Sequence, residues 1–322
     1  MEIQTRFTQM MGCRLPIVVA PMFLVSNPEM VIAGCQAGAV GTFPALNIRP
    51  VEKLREWLQE IRSKTNNTYG VNIIVHRSNI HARRQMEICL EEKVGFFIAS
   101  LGSPKELVQE AHKIGSKVFC DIISEEHAKK AVAAGADGLI AVCAGAGGHS
   151  GNISPLVFIP RLRKQFSLPI LASGGIADGR TLAASLLLGA DGVLMGTRFI
   201  ASKECPVSQE YKDAIVQAKA EDIVTTYKID GIAANVINTP YVQKTGTQLN
   251  FLEKFLFRHP KLRNWVTMKR IMSSLSILTT SIERPTWKQL WGAGQSVALV
   301  DDVQSIPEIL NKIYQEYTQA FK

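Results

Sequence analysis

Eight short apolar or β-branched runs, each followed by a segment of helix-forming composition, constrain this chain more than any other feature. They are IVVAPM (Ile17–Met22), AVGTFP (Ala39–Pro44), YGVNII (Tyr69–Ile74), FFIAS (Phe96–Ser100), KVFCDI (Lys117–Ile122), GLIAV (Gly138–Val142), PILASGG (Pro169–Gly175) and GVLMGT (Gly192–Thr197). Parallel neighbours need a crossover, and a helix supplies it, so this alternation predicts βα units on a parallel sheet. Eight units predict an α/β fold of the (β/α)8 TIM-barrel type, with an open doubly wound sheet as the alternative. Ser26 with Pro28, Asn47 with Pro50, Ser103 with Pro104, Ser154 with Pro155, and Asp178 are cap or first-turn residue types at the expected helix starts. CQAGAV, AAGADG and LLGADG each place Gly after a last helical turn.

The alternation stops after Thr197. From Cys205 to about Trp291 the chain is rich in Lys, Thr, Ser and Asn, without a strand-like run of comparable quality. It reads as a smaller, mostly helical insertion between the eighth strand and the last helix. The expected organisation is a cofactor-binding barrel over residues 1–204, a helical substrate domain over 205–290, and a segment over 291–322 that closes the barrel. An insertion there leaves from the C-terminal face, where barrel enzymes keep their chemistry, so it is placed to wall or cover a substrate.

Hydrophobic residues at 46% and charged residues at 20% are those of a packed globular chain and exclude disorder. The six cysteines form no C-x-x-C pair, which favours a reducing compartment. Neither a signal-peptide core nor an apolar run of about 18 residues is present, so the chain is expected to be complete, cytoplasmic and free of the membrane. The formal charge of +8 raises the question of a nucleic-acid partner, but the basic residues are dispersed. Their densest stretch, Phe255–Arg270, reads as a solvated helix face, and no nucleic acid is expected. A cofactor-free binding protein that uses this surface is the reading from another class. The oligomeric state is not fixed, a homodimer being compatible with the sequence.

In a barrel, only the C-terminal ends of strands and the loops after them converge on one site. SGGIADG follows the seventh strand and GTRF ends the eighth, so Gly174, Gly175, Gly196 and Thr197 can offer backbone N–H groups and a hydroxyl to a phosphate. No G-x-G-x-x-G fits, since GAGGHS has Ser where the last Gly belongs, and FMN suits the pattern better than a dinucleotide. Ala20, Pro21 and Met22 end the first strand. The proline, lacking an N–H, is expected to leave the preceding carbonyl and the next amide free to face a flat ring. Asn72, in the third strand, supplies an amide for ring or ribitol atoms.

His149 stands among glycines in AGAGGHSGNISP after the sixth strand. Imidazole ordinarily changes charge between about pH 5 and 8, and with no helix or strand to support, this one suits proton transfer. His76 follows the third strand and can line the site, whereas His81, His112, His127 and His259 fall in expected helices or charged runs. No H-E-x-x-H or clustered Cys/His spacing points to a metal, and no G-x-S-x-G offers a nucleophile elbow. Asp301–Asp302 reads as capping for the closing helix.

On APM, GVNI, AGGHSG, LPILASGGIADGRTLAASLLLGADGVLMGTRFIASKE and the closing WGAGQSVALVDD, the chain resembles the nitronate monooxygenases, formerly 2-nitropropane dioxygenases. Their relatives include flavin-dependent NADH:quinone reductases and FMN-type enoyl-acyl carrier protein reductases. The resemblance implies an FMN-binding TIM barrel in which His149 is the catalytic base. A nitronate, or a nitroalkane deprotonated by that histidine, gives an electron to FMN, and O2 completes conversion to a carbonyl compound and nitrite. The flavin contacts implied are Ala20, Pro21, Met22, Asn72, Gly148, Gly174, Gly175, Gly196 and Thr197. The alternative within the resemblance is an NAD(P)H-dependent FMN reductase acting on a quinone or an enoyl thioester. Two departures stand out: Cys120 and Asp121 where some relatives carry lysine, and Gly292 where Trp-Ser-Ala-Gly is common.

Overall fold

The computed structural model describes residues 2–229, 231–249 and 290–322. Its strands in chain order are β1 Ile17–Val19, β2 Val40–Pro44, β3 Gly70–Ile74, β4 Phe96–Ser100, β5 Lys117–Ile122, β6 Gly138–Val142, β7 Gly148–His149, β8 Ile170–Ser173, β9 Gly192–Met195, β10 Ile223–Thr226 and β11 Ala234–Ile237. Eight of them, β1 to β6 with β8 and β9, form a closed parallel barrel. Closure sets Ile17, Val18 and Val19 opposite Val193, Leu194 and Met195, which excludes the open sheet. Every one of the eight expected runs is a barrel strand.

The helices are α1 Arg6–Met11, α2 Pro28–Gln36, α3 Leu54–Lys64, α4 Ala82–Glu91, α5 Lys105–Lys113, α6 Glu125–Ala133, α7 Pro155–Gln165, α8 Gly179–Leu187, α9 Thr197–Ile200, α10 Gln209–Gln217, α11 Pro240–Thr245 and α12 Ile306–Gln319. Helix α8 starts as expected, Asp178 accepting from the Thr181 N–H at 2.7 Å. The cap of α2 is Asn27 rather than Ser26, with Pro28 behind it in the first turn. Asp301–Asp302 do not cap α12: Ser305 and Glu308 form its capping box, and Asp302 instead pairs with the buried Arg198 at 2.7 Å. A buried guanidinium without a carboxylate is costly, so that partner takes precedence over the helix end.

The barrel interior is filled by side chains. Phe7 of α1 plugs its N-terminal end and packs edge-on to Phe96 and Phe119, centroids 6.5 and 5.9 Å away. Room for these rings comes from missing side chains, since a Cβ at Gly138 would lie 2.3 Å from the Phe119 ring. Asp191 ties the plug down, receiving Arg6 at 2.7 Å, Arg163 at 2.8 Å and the Ile170 N–H at 2.8 Å. With one end packed shut, the opposite mouth is left for function.

The region after β9 differs from the expectation of a segment without strands. β10 and β11 pair antiparallel, and β11 pairs in turn with β7, setting Ala234 opposite His149 and Asn235 opposite Gly148. Runs of four residues are too short for the strand signal to separate from loop composition, and the pairing partner lies far upstream. Residues 250–289, including Phe255–Arg270 and His259, lie outside the described residues. Among those described, no helix is long and apolar enough to cross a membrane.

Candidate active site

The C-terminal mouth opens into a cavity of about 2110 Å³. A site for one drug-sized ligand typically occupies about 300–1,000 Å³, so this one has room for a cofactor and a substrate together. Ala20, Pro21, Met22, Asn72, Gly148, His149, Gly174, Gly175, Gly196 and Thr197 all line it. The structure therefore brings every sequence-derived candidate to one wall system, from five different barrel strands and the loops after them.

Two glycine-bearing turns shape one part. Gly174 and Gly175, between β8 and α8, have φ of 111° and 73°, and Gly196 precedes Thr197 at the first turn of α9. First-turn N–H groups have no intrahelical partner and favour an anion. The Thr197 Oγ1 accepts from the Gly294 N–H at 3.0 Å, which leaves its own hydroxyl hydrogen to donate. A Cβ built on Gly148, Gly175 or Gly292 would meet no atom within 4 Å, so bare backbone faces open space at all three. A planar ring with a phosphate tail fits a wall of this kind, whereas side chains there would fill it.

The His149 loop is held from two directions. Gly147 and Gly294 interlock: a Cβ on Gly294 would stand 2.3 Å from the Gly145 carbonyl, and one on Gly147 would stand 2.8 Å from the Ala293 backbone. The Gln295 N–H adds a bond to the Gly145 carbonyl at 3.0 Å. From β11, the buried Asn235 donates to the Ala146 carbonyl at 2.8 Å and to Ser150 Oγ at 3.0 Å, while its Oδ1 accepts from Thr225 at 2.7 Å. Sequence reasoning missed Asn235, because nothing local marks an asparagine whose partners lie some 85 positions away. His149 itself is exposed at the cavity.

Tyr211 and Trp291 were also missed as a pair. Their rings stack at 5.3 Å with an interplanar angle of 9°, and the Tyr211 hydroxyl donates to the Gly292 carbonyl at 2.6 Å. Both line the cavity beside Gly292. Burial pushes the Tyr211 hydroxyl well above its ordinary range, so it is a neutral donor.

A polar chain crosses the ends of β3, β4 and β5. Asn72 Nδ2 donates to the Ile98 carbonyl at 3.1 Å and to Ser100 Oγ at 2.7 Å, and Ser100 Oγ donates to Asp121 Oδ2. Desolvation pushes the Asp121 carboxyl up to about 6, against the lowering effect of the Ser100 bond. Burial likewise pushes the neighbouring Cys120 thiol up to about 12, which leaves it a neutral thiol rather than a nucleophile.

Three expectations change. His149, expected to support no helix or strand, lies in β7 and pairs with Ala234 of β11. The Ala20 carbonyl and the Met22 N–H are not free to face a ring: Ser26 Oγ donates to the first at 3.2 Å and accepts from the second at 2.9 Å. A loop lacking one amide closes on a neighbouring hydroxyl sooner than leave its other groups unpaired. His81 and His127 line the cavity with His76, because both follow barrel strands at the same mouth. His112 lies elsewhere, 2.8 Å from Asp137. Among the described residues no group of three or more His, Cys, Asp or Glu could hold a metal.

With the mouth, its glycine-bearing turns and its histidine in place, comparison with known proteins is informative. A family model described as nitronate monooxygenase matches residues 77–316. The chain belongs to the nitronate monooxygenase family. A probable nitronate monooxygenase of Staphylococcus saprophyticus is 28% identical over 360 residues, covering 98% of both chains. Membership is not confined to that name: (3aS,4S,5R,7aS)-5-hydroxy-7a-methyl-1-oxo-octahydro-1H-indene-4-carboxyl-CoA dehydrogenase of Rhodococcus jostii is 26% identical, covering 97% of this chain and 95% of its own. Among solved structures, FabK from Thermotoga maritima superposes with a TM-score of 0.84 at 31% identity, over 99% of this chain and 97% of that one. A nitroalkane oxidase from Streptomyces ansochromogenes, at 21% identity and a TM-score of 0.78, shares the fold over 98% of each chain. As a nitronate monooxygenase family member, the protein is a flavin-dependent oxidoreductase.

Proposed function

We propose that the protein is an FMN-dependent oxidoreductase that converts alkyl nitronates and nitroalkanes, with O2, to carbonyl compounds and nitrite. The observation that carries this reading is the exposed His149, held on β7 next to bare backbone at Gly148, in the cavity that the Gly174–Gly175 and Gly196–Thr197 turns also line. FMN is favoured over a dinucleotide because the phosphate-type turns end β8 and β9 and no G-x-G-x-x-G accompanies them. Bound there, FMN supplies the electron acceptor.

The residues of the chain do the rest. His149 takes the α-proton of a neutral nitroalkane, and the resulting imidazolium stabilises the anionic nitronate beside it. Asn235 and the Gly294 interlock fix where the imidazole stands. The stacked Tyr211–Trp291 pair gives the cavity an apolar wall that limits water. The partners on this reading are a small molecule and O2, and the site of action is the cytoplasm.

A second reading has its own support. The cavity exceeds what FMN and a small nitroalkane need, and Phe23, Ile80, Leu101 and Ile123 line it as exposed apolar side chains. With a relative named for a CoA thioester, these favour an NAD(P)H-dependent reductase of an enoyl thioester or quinone. One experiment separates the two. The released cofactor is identified by mass, and the flavin spectrum is followed without air during titration with propyl nitronate or with NADH. Bleaching by nitronate supports the proposal; fast bleaching by NADH with none by nitronate rejects it for the second reading. In His149→Asn, flavin is expected to stay bound while nitroalkane oxidation falls by roughly 10²–10⁴-fold, the usual contribution of a general base. Undiminished turnover of a neutral nitroalkane removes His149 from that role.

A further inference from the structure

The chain of hydrogen bonds from Asn72 to Asp121 has a direction, and the direction is set by what each group can do. The Ile98 carbonyl can only accept, so it fixes Nδ2 as the atom of the Asn72 amide that faces the strand. The second hydrogen of that amide goes to Ser100 Oγ, and the Ser100 hydroxyl hydrogen goes on to Asp121 Oδ2. Both amide hydrogens of Asn72 are thereby spent inside the wall. Its Oδ1 is left as an acceptor toward the cavity, with no hydrogen bond among the described residues.

Asp121 lines the same cavity, and its Oδ1 likewise makes no hydrogen bond or ion pair among the described residues. The charged and titratable groups that share the cavity with it are Arg49 after β2, His76 and His81 after β3, Lys105 at the start of α5, the neutral Cys120 beside it, His127 and Lys130 on α6, His149 on β7, and Glu210 and Tyr211 on α10. None of them pairs with it, and Lys130 is already engaged by Glu126. Nor does any of them account for its displaced carboxyl, which burial raises to about 6 against the lowering effect of the Ser100 bond. A carboxyl in that range changes charge near neutral pH when a further negative charge arrives nearby.

We propose that Asp121 is the proton-holding group of the flavin site: through Ser100 it fixes Asn72 as an acceptor toward the ring, and it takes up a proton when the ring gains electrons. The inference rests on the flavin lying in this cavity. In the assayed step dithionite is the donor and is oxidised by two electrons. Flavin bound there would supply the acceptor for both electrons, and any protonation of the ring itself is common to wild type and variants. One further proton passes from solvent to a carboxylate oxygen of Asp121, and no other bond changes there. Asp121 acts on the ring through Asn72 and through its charge, so it is a positioning residue.

The test is the midpoint potential of the holoenzyme flavin from pH 5 to 9, measured by dye equilibration with dithionite, in wild type, Asp121→Asn and Ser100→Ala. Above about pH 6 the wild-type potential is expected to fall more steeply than that of Asp121→Asn, because one more proton accompanies the two electrons. That is a tenfold change in the reduction equilibrium per pH unit, or about 30 mV. The two proteins should coincide near pH 5 and diverge above 6. In Ser100→Ala the carboxyl loses the bond that lowers it, so the break should move to higher pH. Parallel lines for wild type and Asp121→Asn overturn the proposal, as does an unmoved break in Ser100→Ala, which also decides the matter if Asp121→Asn fails to fold. A purified protein that carries and takes up no flavin is a different outcome: it refutes the cofactor reading itself, and this inference with it.

Discussion

Gly174 and Gly175 are neighbours with positive φ at the end of the same strand, yet the surroundings predict opposite consequences for adding one methyl group. At Gly174, φ is 111°, outside the ordinary left-handed region, and a Cβ would stand 2.9 Å from the Ala146 N–H nitrogen and 3.0 Å from the Ala144 and Cys143 carbonyl oxygens. These are backbone atoms of the loop that carries His149, and they cannot swing aside as a side-chain tip would. Strain and overpacking together set the cost of Gly174→Ala at about 3 kcal/mol or more. At Gly175, φ is 73° and a Cβ would touch nothing within 4 Å. Its cost is the left-handed conformation alone, about 1–2 kcal/mol, partly offset by a stiffer unfolded chain. The methyl group would instead occupy space assigned to the cofactor phosphate, so flavin affinity should fall at least tenfold, about 1.4 kcal/mol. Urea unfolding of the flavin-free proteins, paired with fluorescence titration by FMN, reads both quantities. The expected pattern is a fold defect for Gly174→Ala and a binding defect on a nearly intact fold for Gly175→Ala. Wild-type flavin affinity in Gly175→Ala would refute the placement of the phosphate at this turn.

Asn235→Ala removes two donors from the His149 loop and strands the Thr225 hydroxyl, so it should destabilise the protein by about 2–3 kcal/mol and lower nitroalkane turnover without releasing the flavin. Unfolding midpoints and steady-state rates check it, and wild-type turnover would show that the loop holds itself. Asp121→Asn should change stability with pH in a defined direction. The folded carboxyl, raised to about 6, binds its proton more tightly than in the unfolded chain, so wild type loses stability as pH rises from about 4 through 6. The Asn variant escapes this loss and should be more stable than wild type by about 2–3 kcal/mol at pH 8, with the gap closing near pH 4. Flavin-free protein unfolded in urea at the two pH values gives the comparison, and a constant gap would contradict the assigned burial.

The barrel and the candidate site differ in how far they can be read along the chain. Every barrel strand is announced locally, since a buried parallel strand needs a continuous apolar run and its crossover needs a helix. The glycines at 174, 175 and 196 and the histidine at 149 are legible for a related reason: the barrel rule says which end of each strand faces the ligand. Asn235, Tyr211 and the Asn72–Ser100–Asp121 chain carry no such local mark. Their meaning comes from partners on other strands, and register between distant strands is set by packing. The free carbonyl expected at Ala20 failed in the same way, because Ser26 turned back to close on it. The amino-acid sequence by itself determined the eightfold βα frame and the set of residues gathered at its mouth, since periodicity and glycine placement are properties of the chain alone. Only the tertiary structure decided how Asn72 points, which hydroxyls are spent, and that burial raises the Asp121 carboxyl, because hydrogen-bond direction and desolvation exist only once distant segments are packed together.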